Sequence, residues 1–269
     1  MCQDKRWEKK DKRYKKNFHN WYYNCFVEIV LTYITLSTLE TRMTINQEYT
    51  DHYLRIGKVY PSILALKLFL GNNPNFSFKT HDLRGKKILD IGFGDGRDLA
   101  LFCELGMDVY GTEVDPDVVQ HTASKFESYG LSVSLQSGVN RETGFEDGLF
   151  NIIYASASIY YLLDENHRIH ETYEHCANIL KTGGYFVGSV SCADNHTVVD
   201  AIKLDSNRLI LEDPFYKFRK GQYYHVYNSQ EELKTDLEIA GFKTIAITNY
   251  DVDWFGTRET LFLFVATKN

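Results

Sequence analysis

Downstream of residue 86, apolar residues follow two alternating rhythms. Short apolar runs, bounded by charge or glycine, are each followed by stretches in which apolar residues recur every three or four positions. Ile88, Leu89 and Ile91 make the first run, which has the pattern of a strand buried on both faces of a parallel sheet. Residues 97–105 then take helical spacing. The alternation predicts a strand over 109–113, a helix over 116–129 ended by Gly130, and strands over 133–136 and 150–154. A helix over 167–180 follows, and Gly183-Gly184 turns the chain into a strand over 185–190. Ser229-Gln230-Glu231-Glu232 has the form of a capping box, opening a helix that runs to Ala240 and stops at Gly241. Strands over 245–249 and 260–266 close the chain. Strands alternating with helices argue for an α/β sandwich around a mostly parallel sheet.

Two segments break the rhythm. Residues 193–221 show no clear period and read as an insertion, extending to residue 228. Upstream of the first strand, Tyr49, Tyr53, Ile56 and Tyr60 fall on one helical face, and Pro61 is expected to start a second helix over 62–70. The first 42 residues differ again. Residues 2–16 are polar and basic, a composition expected to stay disordered. Residues 18–36 are rich in aromatic and β-branched residues, and Asn17, Asn20, Asn24, Glu28, Thr32 and Thr35 would draw a narrow polar stripe along a helix here. A spanning helix needs about 20 apolar residues, and this run is shorter and contains Glu28. A signal peptide would need a small-residue cleavage site. A helix packed on the domain, a partner or a membrane surface is a further reading. The preferred expectation is a leader outside the working protein, with Met43 opening one domain over 43–269, of which 43–80 are lid helices and 193–228 a substrate-side insertion.

Charge sharpens that break. Residues 1–42 carry nine Lys/Arg against five Asp/Glu, a net of +4, whereas the remainder carries 21 against 31, a net of −10. So acidic a body argues against a nucleic-acid partner, which would want a basic face. The five cysteines (Cys2, Cys25, Cys103, Cys176, Cys192) are odd in number and scattered, without a CxxC or a His/Cys ligand spacing. Free thiols in a reducing cytoplasm, and no metal, are expected.

Asp90-Ile91-Gly92-Phe93-Gly94-Asp95-Gly96 runs from the first strand into the first long helix. Glycines let backbone approach a ligand closely, and a helix N-terminus aims its free N–H groups at it. A dinucleotide fingerprint would put its third glycine at position 97, which is Arg97, and a Walker loop would need Lys-Ser/Thr after its last glycine. The string instead resembles motif I, D-x-G-x-G-x-G, of the class I S-adenosylmethionine-dependent methyltransferases. Glu113 ends the second strand twenty-one residues past Gly92, where nucleotide folds place a carboxylate on the ribose hydroxyls. Asp115-Pro116 looks like the cap and first turn of the next helix.

The resemblance covers roughly residues 49–268 and takes in Leu180-Lys181-Thr182-Gly183-Gly184, similar to the family's LKPGG turn. It implies a three-layer Rossmann-like fold: a seven-stranded, mostly parallel sheet with one antiparallel strand near its edge, and N-terminal lid helices. It implies S-adenosylmethionine as cofactor, held by Asp90, Gly92, Phe93, Gly94, Asp95, Gly96, Glu113 and Val114, with Asn140, Ser156, Tyr49 and Tyr53 nearby. Two positions depart from the pattern: Gly138 is followed by Val139 and Asn140, where the family places Gly-Asp, and Phe150 by Asn151, where it places Phe-Asp.

Methyl transfer is an in-line displacement, in which the protein supplies positioning and dehydration, plus a base for a hydroxyl acceptor. Tyr154-Ala155-Ser156-Ala157 ends the fourth strand without the Asn/Asp-Pro-Pro-aromatic string of amide and nucleobase N-methyltransferases. That favours a small-molecule O or N acceptor. Candidates to face it are Ser156, Tyr160 and Tyr161, and Tyr223, Tyr224 and His225; as base, His225 leads, with Tyr160 and Tyr161 next. His167 and His170 rank lower, since a mid-helix histidine is usually at the surface. A nicotinamide oxidoreductase and a non-catalytic nucleotide-binding module are the alternatives. A cytoplasmic monomer or homodimer with no stable membrane insertion is expected.

Overall fold

The computed structural model describes residues 47–54, 60–76, 78, 80–214 and 218–269. The expectations for residues 1–42, for Met43 as the opening residue and for Ile56 on the first helical face lie outside these residues.

Among the described residues, α1 (Gln47–Leu54), α2 (Ile63–Phe69) and the short α3 (Thr80–Leu83) precede β1 (Lys87–Ile91). Then come α4 (Arg97–Glu104), β2 (Asp108–Glu113), α5 (Pro116–Ser128), β3 (Ser134–Ser137), β4 (Phe150–Ala155) and the two-residue β5 (Tyr161–Leu162). The chain continues through α6 (Ile169–Ile179), β6 (Leu180–Ser191), β7 (Ile202–Lys203), β8 (Arg208–Ile210) and β9 (Tyr223–His225). It ends with α7 (Gln230–Ile239) and the hairpin β10 (Phe242–Trp254) and β11 (Thr257–Lys268).

Seven strands form one sheet in the order β10-β11-β6-β4-β1-β2-β3. The neighbours among β6, β4, β1, β2 and β3 are parallel, and only β11, next to the edge, runs against its neighbours β6 and β10. Successive side chains of a strand point to opposite faces, and this divides the core in two. Leu89, Ile153, Phe186 and Phe264 pack with Ile169 and Tyr173 of α6 and Leu233 of α7. Their neighbours Ile88, Ile152, Val187 and Val265 pack with Phe69 of α2, Phe102 of α4 and Phe126 of α5. Each fully buried Leu, Ile or Phe contributes roughly 1.5–3 kcal/mol, so the centre of the sheet is the best-anchored part of the fold. The carboxyl ends of β1, β2 and β4 converge at the crevice beside it.

Several boundaries depart from the sequence reading. Ser62, not Pro61, starts α2: its Oγ accepts the Ala65 N–H at 3.1 Å as an N-cap. His167 precedes α6 and is fully buried, whereas His170 within the helix is exposed. The Leu163 N–H donates to His167 Nδ1 at 3.0 Å, which leaves Nε2 to donate to Thr172 Oγ1 at 3.1 Å. The final hairpin runs well beyond its apolar stretches, through Asp251-Val252-Asp253-Trp254. Phe255 and Gly256 turn it with positive φ at both positions, 56° and 94°, as a tight two-residue connection requires, and Arg258 braces it on Asp251 at 2.7 Å. Within the insertion, β7, β8 and β9 join β5 in an antiparallel sheet, order β5-β9-β8-β7. Strands of two or three residues are too short to show a period. No helix among the described residues is long and apolar enough to cross a membrane.

Candidate functional site

The sharp turn out of β1 takes Gly92 and Gly94 to φ of 73° and 55°, which side chains disfavour. Space forbids them too. A Cβ on Gly92 would lie 2.5 Å from Ser158, and one on Gly94 would lie 2.6 Å from the Tyr53 ring. Asp95 is clamped by Arg97, whose Nε and Nη2 donate to its carboxylate at 3.0 and 2.7 Å. Gly96 caps the amino end of α4.

Beside this loop, Glu113 is buried at the end of β2. Oε2 accepts the Gly94 N–H at 3.1 Å, and Oε1 accepts the Val114 N–H at 2.7 Å and the Tyr49 hydroxyl at 3.0 Å. Burial still prevails over these three donors and holds the Glu113 carboxyl above its usual range. Asp90 sits well above its own range, through burial first and then the nearby charges of Asp98, Glu113 and Asp95. Asp98, in the first turn of α4, is raised by burial against the opposing pull of its partners. It accepts the Ser62 N–H (2.6 Å) and hydroxyl (2.9 Å) and the Tyr154 hydroxyl (2.9 Å). The start of α2 is thereby tied to the start of α4. Thr50 likewise bonds the cap residue Asp115, so α1 is fixed at two adjacent carboxylates of one strand end.

These groups enclose a cavity of about 340 Å³. Of the sequence candidates, Asp90, Gly92, Phe93, Gly94, Asp95, Glu113, Val114, Asn140, Ser156, Tyr49, Tyr53 and Tyr161 all line it. The Asn140 amide donates to the carbonyls of Ser158 (3.3 Å) and Tyr161 (3.1 Å), stapling the segment after β4 to the crevice.

His225 and Tyr160 are not in this wall. His225 lies on β9, where alternation turns Tyr224 toward Tyr160 and Tyr161 (5.0 and 5.1 Å between ring centroids) and His225 the other way. It borders a separate surface depression with Arg168, Arg208 and Glu232. Burial lowers its imidazole to about 4. An imidazole lowered to about 4 holds a proton weakly, and one that faces away from the crevice does not fit the role of base expected of it. Tyr160 is buried behind Tyr161, and burial raises its hydroxyl well above the usual value.

The wall also holds residues that sequence reasoning passed over: Ser62, Asp98, Ser158, Arg219 and Glu259. Arg219 is the most unusual. Only 9% exposed, it lies over the rings of Tyr161 (4.0 Å) and Tyr49 (4.6 Å) and donates to Tyr53 Oη at 3.3 Å. A cation set within the aromatic run around Phe218 was the available signal. Asp98 had a weaker one, its place in the turn directly after the glycine loop.

A family model described as "Methyltransferase domain" matches residues 88–184. A protein-L-isoaspartate O-methyltransferase of Stenotrophomonas maltophilia is 29% identical over 80 residues, 30% of this chain and 36% of that protein. The chain thus matches only about a third of the length of that curated relative. A solved S-adenosylmethionine-dependent methyltransferase of Methanosarcina mazei superposes with a TM-score of 0.59 at 18% identity, over 70% of this chain and 95% of that one. The 1,6-didemethyltoxoflavin-N1-methyltransferase of Burkholderia thailandensis, solved with 1,6-didemethyltoxoflavin and S-adenosylhomocysteine, gives 0.54 at 16% identity, over 93% of this chain and 90% of that one. At such identities the structural likeness speaks to the fold.

Proposed function

We propose that this chain, a member of the class I S-adenosylmethionine-dependent methyltransferases, transfers a methyl group to an oxygen or nitrogen of a small-molecule acceptor. The observation that carries this reading is the joining of the glycine loop to Glu113 by the Gly94 N–H, beneath a lid whose tyrosines reach the same pocket.

The residues fit the family's cofactor, S-adenosylmethionine. Backbone at Gly92 and Gly94 is held where no Cβ could stand, leaving close access for a ligand. Glu113 would accept hydrogen bonds from ribose hydroxyls once Tyr49 yields its place on Oε1. Val139 and Asn140 would border the adenine. When bound, the cofactor supplies an activated methyl on a sulfonium whose positive charge is neutralised on transfer.

The chain's own part is to bind, orient and exclude water. Asp98, which accepts three hydrogen bonds, and Asp95 make the loop side of the pocket electronegative, which favours a cation in it. Helix α1 and the cap residue of α2 border the crevice, and Tyr49, Tyr53 and Tyr161 replace water along its wall. Such confinement holds reactants in line and removes competing solvent. The tyrosines are poor proton acceptors at neutral pH, because burial raises each hydroxyl above its ordinary value. Glu259, the wall carboxylate outside the loop, α4 and β2, is the candidate to take a proton from a hydroxyl acceptor. A nitrogen acceptor that reacts through its free lone pair needs no such help. The modest volume of the pocket, about 340 Å³, supports a small acceptor over a macromolecular one.

Calorimetry with S-adenosylmethionine and with NAD, followed by labelled-methyl transfer to a small-metabolite extract, tests the reading. Binding of the first ligand and label in small molecules are expected. Tight NAD binding without S-adenosylmethionine binding would overturn it.

A further inference from the structure

Arg219 carries a full positive charge in a buried place, and a buried charge without an opposite one is costly. Among the described residues no carboxylate lies within ion-pair distance of its guanidinium. Its N–H groups reach only neutral oxygens, Gln222 Oε1 and Tyr53 Oη, both at 3.3 Å. The ring centroids of Tyr161, Tyr49 and Phe218 lie 4.0, 4.6 and 5.3 Å from the guanidinium. The buried Asp213 carboxylate takes the Arg219 main-chain N–H at 2.9 Å, and Glu113 acts on the guanidinium from longer range. Rings soften the cost of a cation but do not neutralise it. The nearby Glu113 already has both carboxylate oxygens engaged. Of the five donors of a guanidinium, two are thus placed on protein.

Two further buried polar atoms lack partners. Gln222 is 3% exposed, and its Nε2 has no acceptor while its Oε1 receives Arg219. Ser158 Oγ, in the same pocket wall as Arg219, also has none. Buried unsatisfied polar atoms are rare. Here a guanidinium fork and a hydroxyl line one pocket, and the carboxamide is bonded to the guanidinium. That is the complement of a carboxylate or phosphate, which accepts several hydrogen bonds and supplies the missing charge.

We propose that Arg219 is the anchor for an oxyanion on the methyl acceptor, so that the acceptor is a small organic acid or phosphate ester rather than a neutral or cationic molecule. This rests on the reading of the pocket as the methyl-transfer site. Arg219 comes from the insertion and stacks on the lid and on the segment after β4; it reaches the glycine loop only through Tyr53, which packs on Gly94. An acceptor acid is therefore favoured over the cofactor's own carboxylate as the group it holds. The same cation would attract a negatively charged acceptor and disfavour a positively charged one.

Benzoate and its neutral isostere benzamide are the probes, titrated calorimetrically against the protein with and without S-adenosylhomocysteine. Benzoate is expected to bind at least tenfold tighter than benzamide, Arg219→Gln to erase the difference, and Arg219→Lys, which keeps the charge, to retain part of it. Equal affinities, no binding of either, or a preference that survives in Arg219→Gln would overturn the proposal. If Arg219 is only a stacking pillar, Arg219→Gln lowers the melting temperature while the parent never prefers the acid.

S-adenosylhomocysteine and 5′-methylthioadenosine, which lacks the amino-acid carboxylate, separate the two sources of oxyanion. Arg219→Gln should change both affinities alike, since it removes support from Tyr49 and Tyr53 without touching a contact to the amino-acid carboxylate. Loss confined to S-adenosylhomocysteine would move the anchor to the cofactor and overturn the acceptor assignment. Failure of S-adenosylhomocysteine to bind the parent would instead strike the methyl-transfer reading, while the benzoate titration would still report on Arg219.

Discussion

The two walls of the pocket are built in different ways. The loop wall comes from one short stretch, residues 87–115, in which strand, glycines, helix start and strand-end acid follow one another. The opposite wall is assembled from α1, the segment after β4, the insertion and the far hairpin, through Tyr49, Tyr161, Arg219 and Glu259. The first is held by backbone: Gly92 and Gly94 in left-handed conformations, and Glu113 receiving two main-chain N–H groups. The second is held by side chains stacked on side chains. Backbone geometry suits a fixed ligand common to a family, whereas stacked side chains can change with the acceptor.

Variants on each wall separate these roles. Gly94→Val should have the largest effect. A β-branched residue at φ 55° that also meets Tyr53 at 2.6 Å must distort the loop, at about 3 kcal/mol or more. Calorimetry should show S-adenosylmethionine affinity reduced roughly a hundredfold, and unchanged affinity would contradict the loop's role. Glu113→Ala should cost tenfold or more, since hydrogen bonds to a charged group contribute roughly 1.5–3 kcal/mol each. Its circular dichroism should match that of the parent.

Acidification probes a different part of the fold. Burial lowers both His167 and His225 to about 4, from an ordinary value of 6.5. Between those values the unfolded chain binds the protons, so stability from both groups is complete above pH 6.5 and is lost as pH falls toward 4. At 1.36 kcal/mol per unit, each contributes at most about 3 kcal/mol. The raised carboxyls Asp90, Asp98 and Glu113 act in the opposite sense in this window. The parent's net pH dependence therefore mixes both, and the informative measurement is the difference between parent and variant. Denaturant titrations of His225→Gln should show a smaller loss from pH 6.5 to 4 than the parent, and an identical loss would refute the assignment. The smallest effect is expected at neutral pH, where His225→Gln should leave cofactor affinity and turnover within about threefold. A hundredfold drop in turnover would return His225 to the site as base.

The loop wall could be read from the chain because its parts are local: strand pattern, glycine spacing and a cap at Asp115 all act within a few residues. The same holds for the Ser229 cap, where the hydroxyl accepts the Glu232 N–H at 3.2 Å. Where sequence reading failed, the cause was distance along the chain or brevity. The short strands of the insertion have no period to detect, and the orientation of β9, which sends Tyr224 inward and His225 outward, was set by its pairing with β5 and β8.

The sequence by itself determined the alternation of strands and helices, the glycine loop and the acid that follows it, because backbone sterics and side-chain periodicity act locally. Only the tertiary structure decided that Asp98 would tie Ser62 to α4, 36 residues away, that His225 would face away from the crevice, and that Arg219 would meet Tyr53 across 166 residues. Such contacts depend on how separate elements pack around one core, and no local pattern encodes which buried charge will end up beside which ring.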